Sequence, residues 1–173
     1  MPNVVCDKCG SSSHDTKEHE QNRLHKATEV FPRVGAATFV VKGTEILLGR
    51  SKKLNNKIVI PGGGVQPFEK VNDAARREVL EETGVACLVD DILFVSELVN
   101  PSYEHRVVLY MLGQFVAYAD EKGLQAGDDL SEVFWADTRK LADYQDDMTE
   151  LTVDAICKFH IALRSRSMTR RAS

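Results

Sequence analysis

The stretch GGGVQPFEKVNDAARREVLEETGV, residues 62–85, decides how the rest of the chain is read. It gathers Glu78, Glu81 and Glu82 at the end of a segment in which Val71, Ala74, Ala75 and Val79 recur at helical spacing. That periodicity predicts a helix from about Lys70 to Thr83, with Gly84 placed for a left-handed C-terminal cap. On a wheel of about 100° per residue, Glu78 and Glu82 fall on the stripe of Val71 and Ala75. Glu81 lies beside them, near Ala74, and Leu80 points the opposite way. A charge run is ordinarily a solvated face. Here the acids continue a stripe built to be buried, and like charges at i,i+4 repel. Crowded carboxylates must raise a pKa or gain a cation. Carboxylates converging at the mouth of a core suit a hard divalent ion such as Mg²⁺. Gly62, Gly63 and Gly64 precede the helix; they predict a tight turn, or a backbone that approaches a ligand closely.

Outward from this stretch the pattern alternates between strands and helices. Residues 34–42 and 45–50 read as a hairpin about Gly43, and 57–60 as a short strand stopped by Pro61. Two β-rich segments follow at 87–99 and 106–118, and SEVFWAD, 131–137, reads as another strand. A short helix is expected from Thr138 to Tyr144. A longer one is expected from Thr149 to about Arg164, with Val153, Ile156, His160 and Leu163 on one face. The fold class is α/β, built on a mixed β-sheet. Three parts are expected: a polar arm over 1–30, a domain over 31–165, and a basic disordered tail over 166–173.

The 173 residues suit one domain, and 43% hydrophobic with 28% charged residues is ordinary for a folded soluble chain. A net charge of −4 argues against a dedicated nucleic-acid binder. No apolar run reaches the roughly 18–20 residues that span a bilayer, and the N-terminus has no signal-peptide core. The four cysteines are not spaced as a disulfide framework, so a cytoplasmic protein is expected. Cys6, Cys9, His14 and His19 could close a small tetrahedral Zn²⁺ site; a polar arm without metal is the other reading. The arm has no aromatic residue for stacking on bases, which argues against RNA recognition there. Cys87 and Cys157 stand alone and are expected to be buried.

Residues 63–85 resemble the Nudix box, whose consensus is G-x5-E-x7-R-E-U-x-E-E-x-G-U with U aliphatic. Gly63, Glu69, Arg77-Glu78-Val79, Glu81-Glu82 and Gly84-Val85 occupy every fixed position. The resemblance, MutT-like in its early strands, implies a mixed sheet sandwiched between helices. It also implies a pyrophosphohydrolase that uses Mg²⁺ or Mn²⁺ to cleave a nucleoside diphosphate joined to a further group. It assigns Glu78, Glu81 and Glu82 to metal and catalysis, with the Gly62 carbonyl joining the metal shell. Glu69 and Arg77 are implied to pair structurally. The general base is implied to be Glu78 or an acid outside the box, for which Glu132, Asp129 and Asp128 are available. Arg50, Lys52 and Lys53 could face substrate phosphates. Tyr103, Phe134 and Trp135 could stack on a base, although aromatics beside strands are more often core.

The substrate expected is a (deoxy)nucleoside triphosphate or an oxidised nucleotide. The offsets of Pro101 and Tyr103 from the box resemble those of ADP-ribose and diadenosine polyphosphate hydrolases. Three further readings stand beside this one: an ADP-ribose pyrophosphatase, a non-catalytic ligand sensor, and an RNA 5′-end hydrolase. Retention of every box glutamate favours an enzyme over the sensor. Many relatives of this kind dimerise, so a homodimer is possible.

Overall fold

The computed structural model describes residues 31–100, 104–127 and 129–169. Cys6, Cys9, His14 and His19, Pro101 and Tyr103, and Asp128 lie outside the described residues.

β1 (Arg33–Lys42) and β2 (Glu45–Ser51) form the expected hairpin, closed by Gly43 at φ 62°. β3 is the short pair Ile58–Val59, and β4 is Gly62–Gly64. α1 (Val71–Thr83) ends on Gly84 in the left-handed region, φ 69°, where the Gly84 N–H donates to Leu80 O. β5 (Val85–Asn100), β6 (Glu104–Tyr118), β7 (Leu130–Asp137) and α2 (Glu150–Thr169) complete the fold. The sheet runs β3-β2-β1-β6-β5, with β4 on β1 and β7 on β2. β1 and β6 are parallel and the other strand pairs antiparallel, so the sheet is mixed, as expected.

Strand alternation divides the core between the two faces. Ala36 and Val40 of β1 and Leu47 of β2 meet Ala74, Ala75 and Val79 of α1. Ala37, Phe39, Ile46 and Leu48 meet Ala155, Ile156 and Phe159 of α2. Phe39 and Phe159, both fully buried, stack with ring centroids 4.3 Å apart. Truncating either to alanine would cost about 3–5 kcal/mol.

Several expectations need correction. The three glycines do not turn; they extend as β4 and pair with β1 at Gly35, Ala36 and Ala37. Backbone pairing with β1 holds them straight. The helix expected over 138–144 is a 3-10 segment at Leu141–Asp147, displaced because Thr138 is tied to Thr44 O by both its N–H and its hydroxyl. α2 continues to Thr169, so the stretch expected as a disordered tail from 166 is helical to that point. The buried stripe of α2 centres on Thr152, Ala155, Ile156 and Phe159, which leaves Cys157 exposed while Cys87 is buried.

Candidate active site

β4 and α1 face each other across the box loop. Glu82 is the carboxylate that continues the buried stripe furthest, and it is 7% exposed. Its Oε2 accepts the Gly62 N–H at 2.9 Å. Burial raises its pKa from 4.5 to about 7; the Gly62 N–H opposes this, and the Glu78 and Asp129 carboxylates add to it. Glu78 lies against the same strand: a Cβ at Gly63 would sit 2.6 Å from Glu78 Oε1. A Cβ at Gly62 would collide with the Ala36 carbonyl and Ala37 of β1. Two glycines are therefore required by close approach, one to the neighbouring strand and one to a carboxylate.

Arg77 organises the other acids. Its Nε and Nη2 clamp Glu69 at 2.8 and 3.0 Å, and Nη2 also donates to Gly64 O at 3.1 Å. Nη1 donates to Glu78 Oε1 at 2.8 Å and to Glu81 Oε2 at 3.0 Å. Glu69 further accepts the Gln66 N–H at 2.9 Å. The Arg77 guanidinium and then this N–H lower the Glu69 pKa to about 2. The sequence placed Arg77 with Glu69 but missed its hold on Glu78 and Glu81. Among the described residues, no group of three metal-ligating side chains stands ready-clustered.

The loop after β6 brings one outside acid to the site. Gly127 N–H donates to Glu82 O, and Gln125 N–H to Thr83 O, at 2.9 and 3.0 Å. These bonds cap the last carbonyls of α1. Gly127 has to be glycine, since a Cβ there would strike the Glu81 carbonyl. The loop thus delivers Asp129 beside Glu82, where it pairs with Lys53. Glu132 lies further along, in β7, opposite Arg50 in β2. The two pair at 3.2 Å, and Arg50 also binds Asp147 at 2.8 Å. Arg50 and Glu132 are thereby brought to each other.

A cleft of about 640 Å³ opens above β4 and extends across β1 to β6 and the first turn of α2. Gly62, Gly63, Gly64, Lys53, Glu82 and Asp129 line one end; Arg50, Glu132, Phe134 and Trp135 are not among its lining residues. Phe134 packs beside Tyr144, and Trp135 meets Phe115 edge-on and donates its indole N–H to Tyr118. Both aromatics serve the core rather than the cleft. The sequence also missed Tyr110, Val108 and Thr152, which line the far end. Their signal was the alternation of β6, legible only once its parallel pairing with β1 is known.

Residues 31–154 match the model of the NUDIX domain. The chain belongs to the NUDIX family. Among solved structures, this NUDIX protein resembles a NUDIX hydrolase from Nitrosomonas europaea, with TM-score 0.65 and 23% identity over 76% of this chain and 90% of that one. It also resembles a MutT NUDIX hydrolase from Burkholderia pseudomallei, with TM-score 0.61 and 25% identity over 75% of this chain and 98% of that one. Among curated proteins, the rat (Rattus norvegicus) diphosphoinositol polyphosphate phosphohydrolase 2 is 40% identical over 68 residues, 39% of this chain and 37% of that protein. The match thus spans about two-fifths of the length of such relatives. Among the described residues, no helix is long and apolar enough to cross a membrane.

Proposed function

We propose that the protein is a divalent-cation-dependent pyrophosphohydrolase that cleaves the diphosphate bond of a nucleoside diphosphate joined to a further group. The substrate is a (deoxy)nucleoside triphosphate or an oxidised nucleotide. The observation that carries this reading is the end of the cleft lined by Gly62, Gly63, Gly64 and Glu82. There a buried carboxylate, Glu82, faces a strand of glycines with Glu78 and Asp129 adding negative charge beside it.

The donor set fits Mg²⁺ or Mn²⁺: all its atoms are hard oxygens, and Glu82, whose pKa is raised first by burial and then by the Glu78 and Asp129 carboxylates, has two acidic neighbours to share a cation with. Glu82 and Glu78 would hold the ion with the Gly62 carbonyl, and Glu81 would join on turning away from Arg77. When bound, such an ion neutralises phosphate charge and lowers the pKa of its water. The bare backbone of β4 admits phosphate oxygens where side chains would exclude them. Lys53, exposed at the rim, exchanges Asp129 for a phosphate. Asp129, once released, accepts the proton of the attacking water. Glu132 is the less suited base, because it is held by Arg50 outside the cleft lining.

The test is phosphate and pyrophosphate release from a panel with Mg²⁺, with and without chelator. The panel holds nucleoside triphosphates, oxidised nucleotides, ADP-ribose, diadenosine polyphosphates, 5′-triphosphorylated RNA and a diphosphoinositol polyphosphate. A chelator-sensitive preference for a nucleoside triphosphate or an oxidised nucleotide is expected. Preference for the diphosphoinositol compound would move the protein towards the diphosphoinositol polyphosphate phosphohydrolases that match part of the chain. Absence of turnover with all of them would favour the ligand-sensor reading.

A further inference from the structure

The two edges of the sheet are built differently. At one side β3 and β7 pair with β2; β3 has 2 residues, and β7 carries Glu132 and Asp137. Shortness and charge both discourage a further strand. At the other side β5, 16 residues long, pairs with β6 and with no other strand among the described residues. Its first half is interrupted. Register shifts fall between Ala86 and Cys87, Val89 and Asp91, and Ile92 and Phe94, and Asn72 of α1 donates to Val89 O at 3.4 Å. From Phe94 to Asn100 the pairing with β6 follows one regular register. Alternate residues of this run direct N–H and C=O away from β6. Among the described residues nothing beyond β6 pairs with them.

One face of the run is open as well. Strand partners share a face, so the register sorts the side chains. Val95 stands with Leu109 and Ala36, Ile92 with Met111 and Thr38, and Val99 with His105. Val34 shares that face through Val107. Ala36 and Met111 pack with α1, so this is the α1 face. Ile92 and Val95 are three positions apart and would fall on opposite faces of a regular strand; the shift between Ile92 and Phe94 turns both to one side. α1 covers Val85, Cys87 and Val89 but leaves Val34 42% exposed, Ile92 48%, Val95 54% and Val99 58%. Together they offer roughly 300 Å², a large part of the apolar area in a standard interface of about 800 Å² per partner. The α2 face is occupied, and there Lys158 donates to Ser96 Oγ at 3.2 Å.

Self-complementarity selects the occupant. Residues 95–99 read Val-Ser-Glu-Leu-Val. Turned about a two-fold axis through Glu97 and normal to the sheet, the run meets itself antiparallel. Val95 then stands opposite the partner's Val99, and Ser96 opposite the partner's Leu98. Both valine pairs close on the α1 face, where β-branched cross-strand pairs stabilise a sheet. The cost falls on the axis, where Glu97 meets the partner's Glu97. Each keeps its own His105, whose Nε2 lies 2.7 Å from Glu97 Oε1.

We propose that β5 is a homodimer interface, in which residues 94–100 of two copies pair antiparallel about Glu97 and join the two sheets into one. Leu98, which lines the cleft, then lies beside the partner's Ser96, so the second copy borders each cleft. The interface stands whether or not the protein hydrolyses a nucleotide.

The experiment is analytical ultracentrifugation of the full chain over about 1–200 µM, with a reductant so that exposed Cys157 cannot cross-link copies. Wild type should show a reversible monomer–dimer equilibrium within that range. Val95→Lys should raise Kd at least about 30-fold, the scale of two half-exposed valines left in water. Val99→Lys should do the same, and circular dichroism should show both folded, since each side chain is exposed. Glu97→Gln, which removes the facing charges and can still bond His105, should lower Kd about 2–5-fold. Val116→Lys is the control: it is as exposed as Val95 but nine positions along β6 from Val107, the partner of Glu97, and should leave Kd unchanged. A wild type that stays monomeric throughout the range would overturn the proposal. So would a folded Val95→Lys that dimerises as tightly as wild type, or a Glu97→Gln that dimerises more weakly.

Discussion

Glu69 and Glu82 belong to one motif, flank opposite ends of one helix, and are driven in opposite directions. Glu69 is clamped by the Arg77 guanidinium and the Gln66 N–H, and its pKa falls to about 2. Glu82 is buried with one backbone donor and two acidic neighbours, and its pKa rises to about 7. One residue type thus does two jobs within fourteen positions of sequence (69–82). The N-terminal end of the motif is a satisfied scaffold. The C-terminal end buries a carboxylate beside two acidic neighbours, where we propose that a cation and a phosphate bind.

The linkage signs differ accordingly. Glu69, with a depressed pKa, contributes stability that is present above 4.5 and lost as pH falls toward about 2. Glu82, with a raised pKa, contributes stability that is present below 4.5 and lost as pH rises through about 7. For Glu82 in the metal-free protein the whole change is about 3 kcal/mol.

The largest expected effect is on turnover in Glu82→Gln, a loss of about 10²–10³-fold, the scale of a single preorganised electrostatic group. Glutamine can still accept the Gly62 N–H, so the fold survives, and metal-free Tm should no longer fall between pH 4.5 and about 7. A denaturation series across that window checks the second half of the claim. Gly63→Ala comes next. Its new methyl displaces the Glu78 carboxylate, and a misplacement of this kind costs up to about 10²-fold in kcat. Circular dichroism should show the fold intact. Glu69→Gln acts at the other end of the comparison: Tm at neutral pH drops by several degrees, while kcat of the folded enzyme changes little. The smallest effect is in Glu132→Gln, whose exposed pairing with Arg50 adds little stability. Its kcat should stay near wild type, whereas Asp129→Asn should lower kcat clearly under the same conditions.

This division was half legible in the sequence. The apolar stripe of Val71, Ala75 and Val79 announced α1, and its continuation into Glu82 announced that a carboxylate would be buried. Both are local, periodic signals. The straightness of Gly62–Gly64 was not legible, because pairing with β1 sets it and three glycines alone read as a turn. Which of Asp129 and Glu132 lies beside Glu82 was equally hidden. It depends on Gly127 and Gln125 capping α1 from a loop more than forty residues away in sequence (83 to 125). Tyr110 could not be placed in a cleft without the parallel register of β1 and β6, which joins segments that no local pattern connects.

The two ends of the motif are tested most directly by measuring Mg²⁺-dependent kcat and metal-free Tm, at about pH 8, for Glu82→Gln and Glu69→Gln side by side. Glu82→Gln should lose nearly all turnover and hold or raise Tm, since a desolvated charge has been removed. Glu69→Gln should keep turnover and lose Tm, since a clamped partner of Arg77 has gone. Wild-type turnover in Glu82→Gln, or a loss of Tm there as large as in Glu69→Gln, would contradict the assignment of chemistry to one end and scaffold to the other.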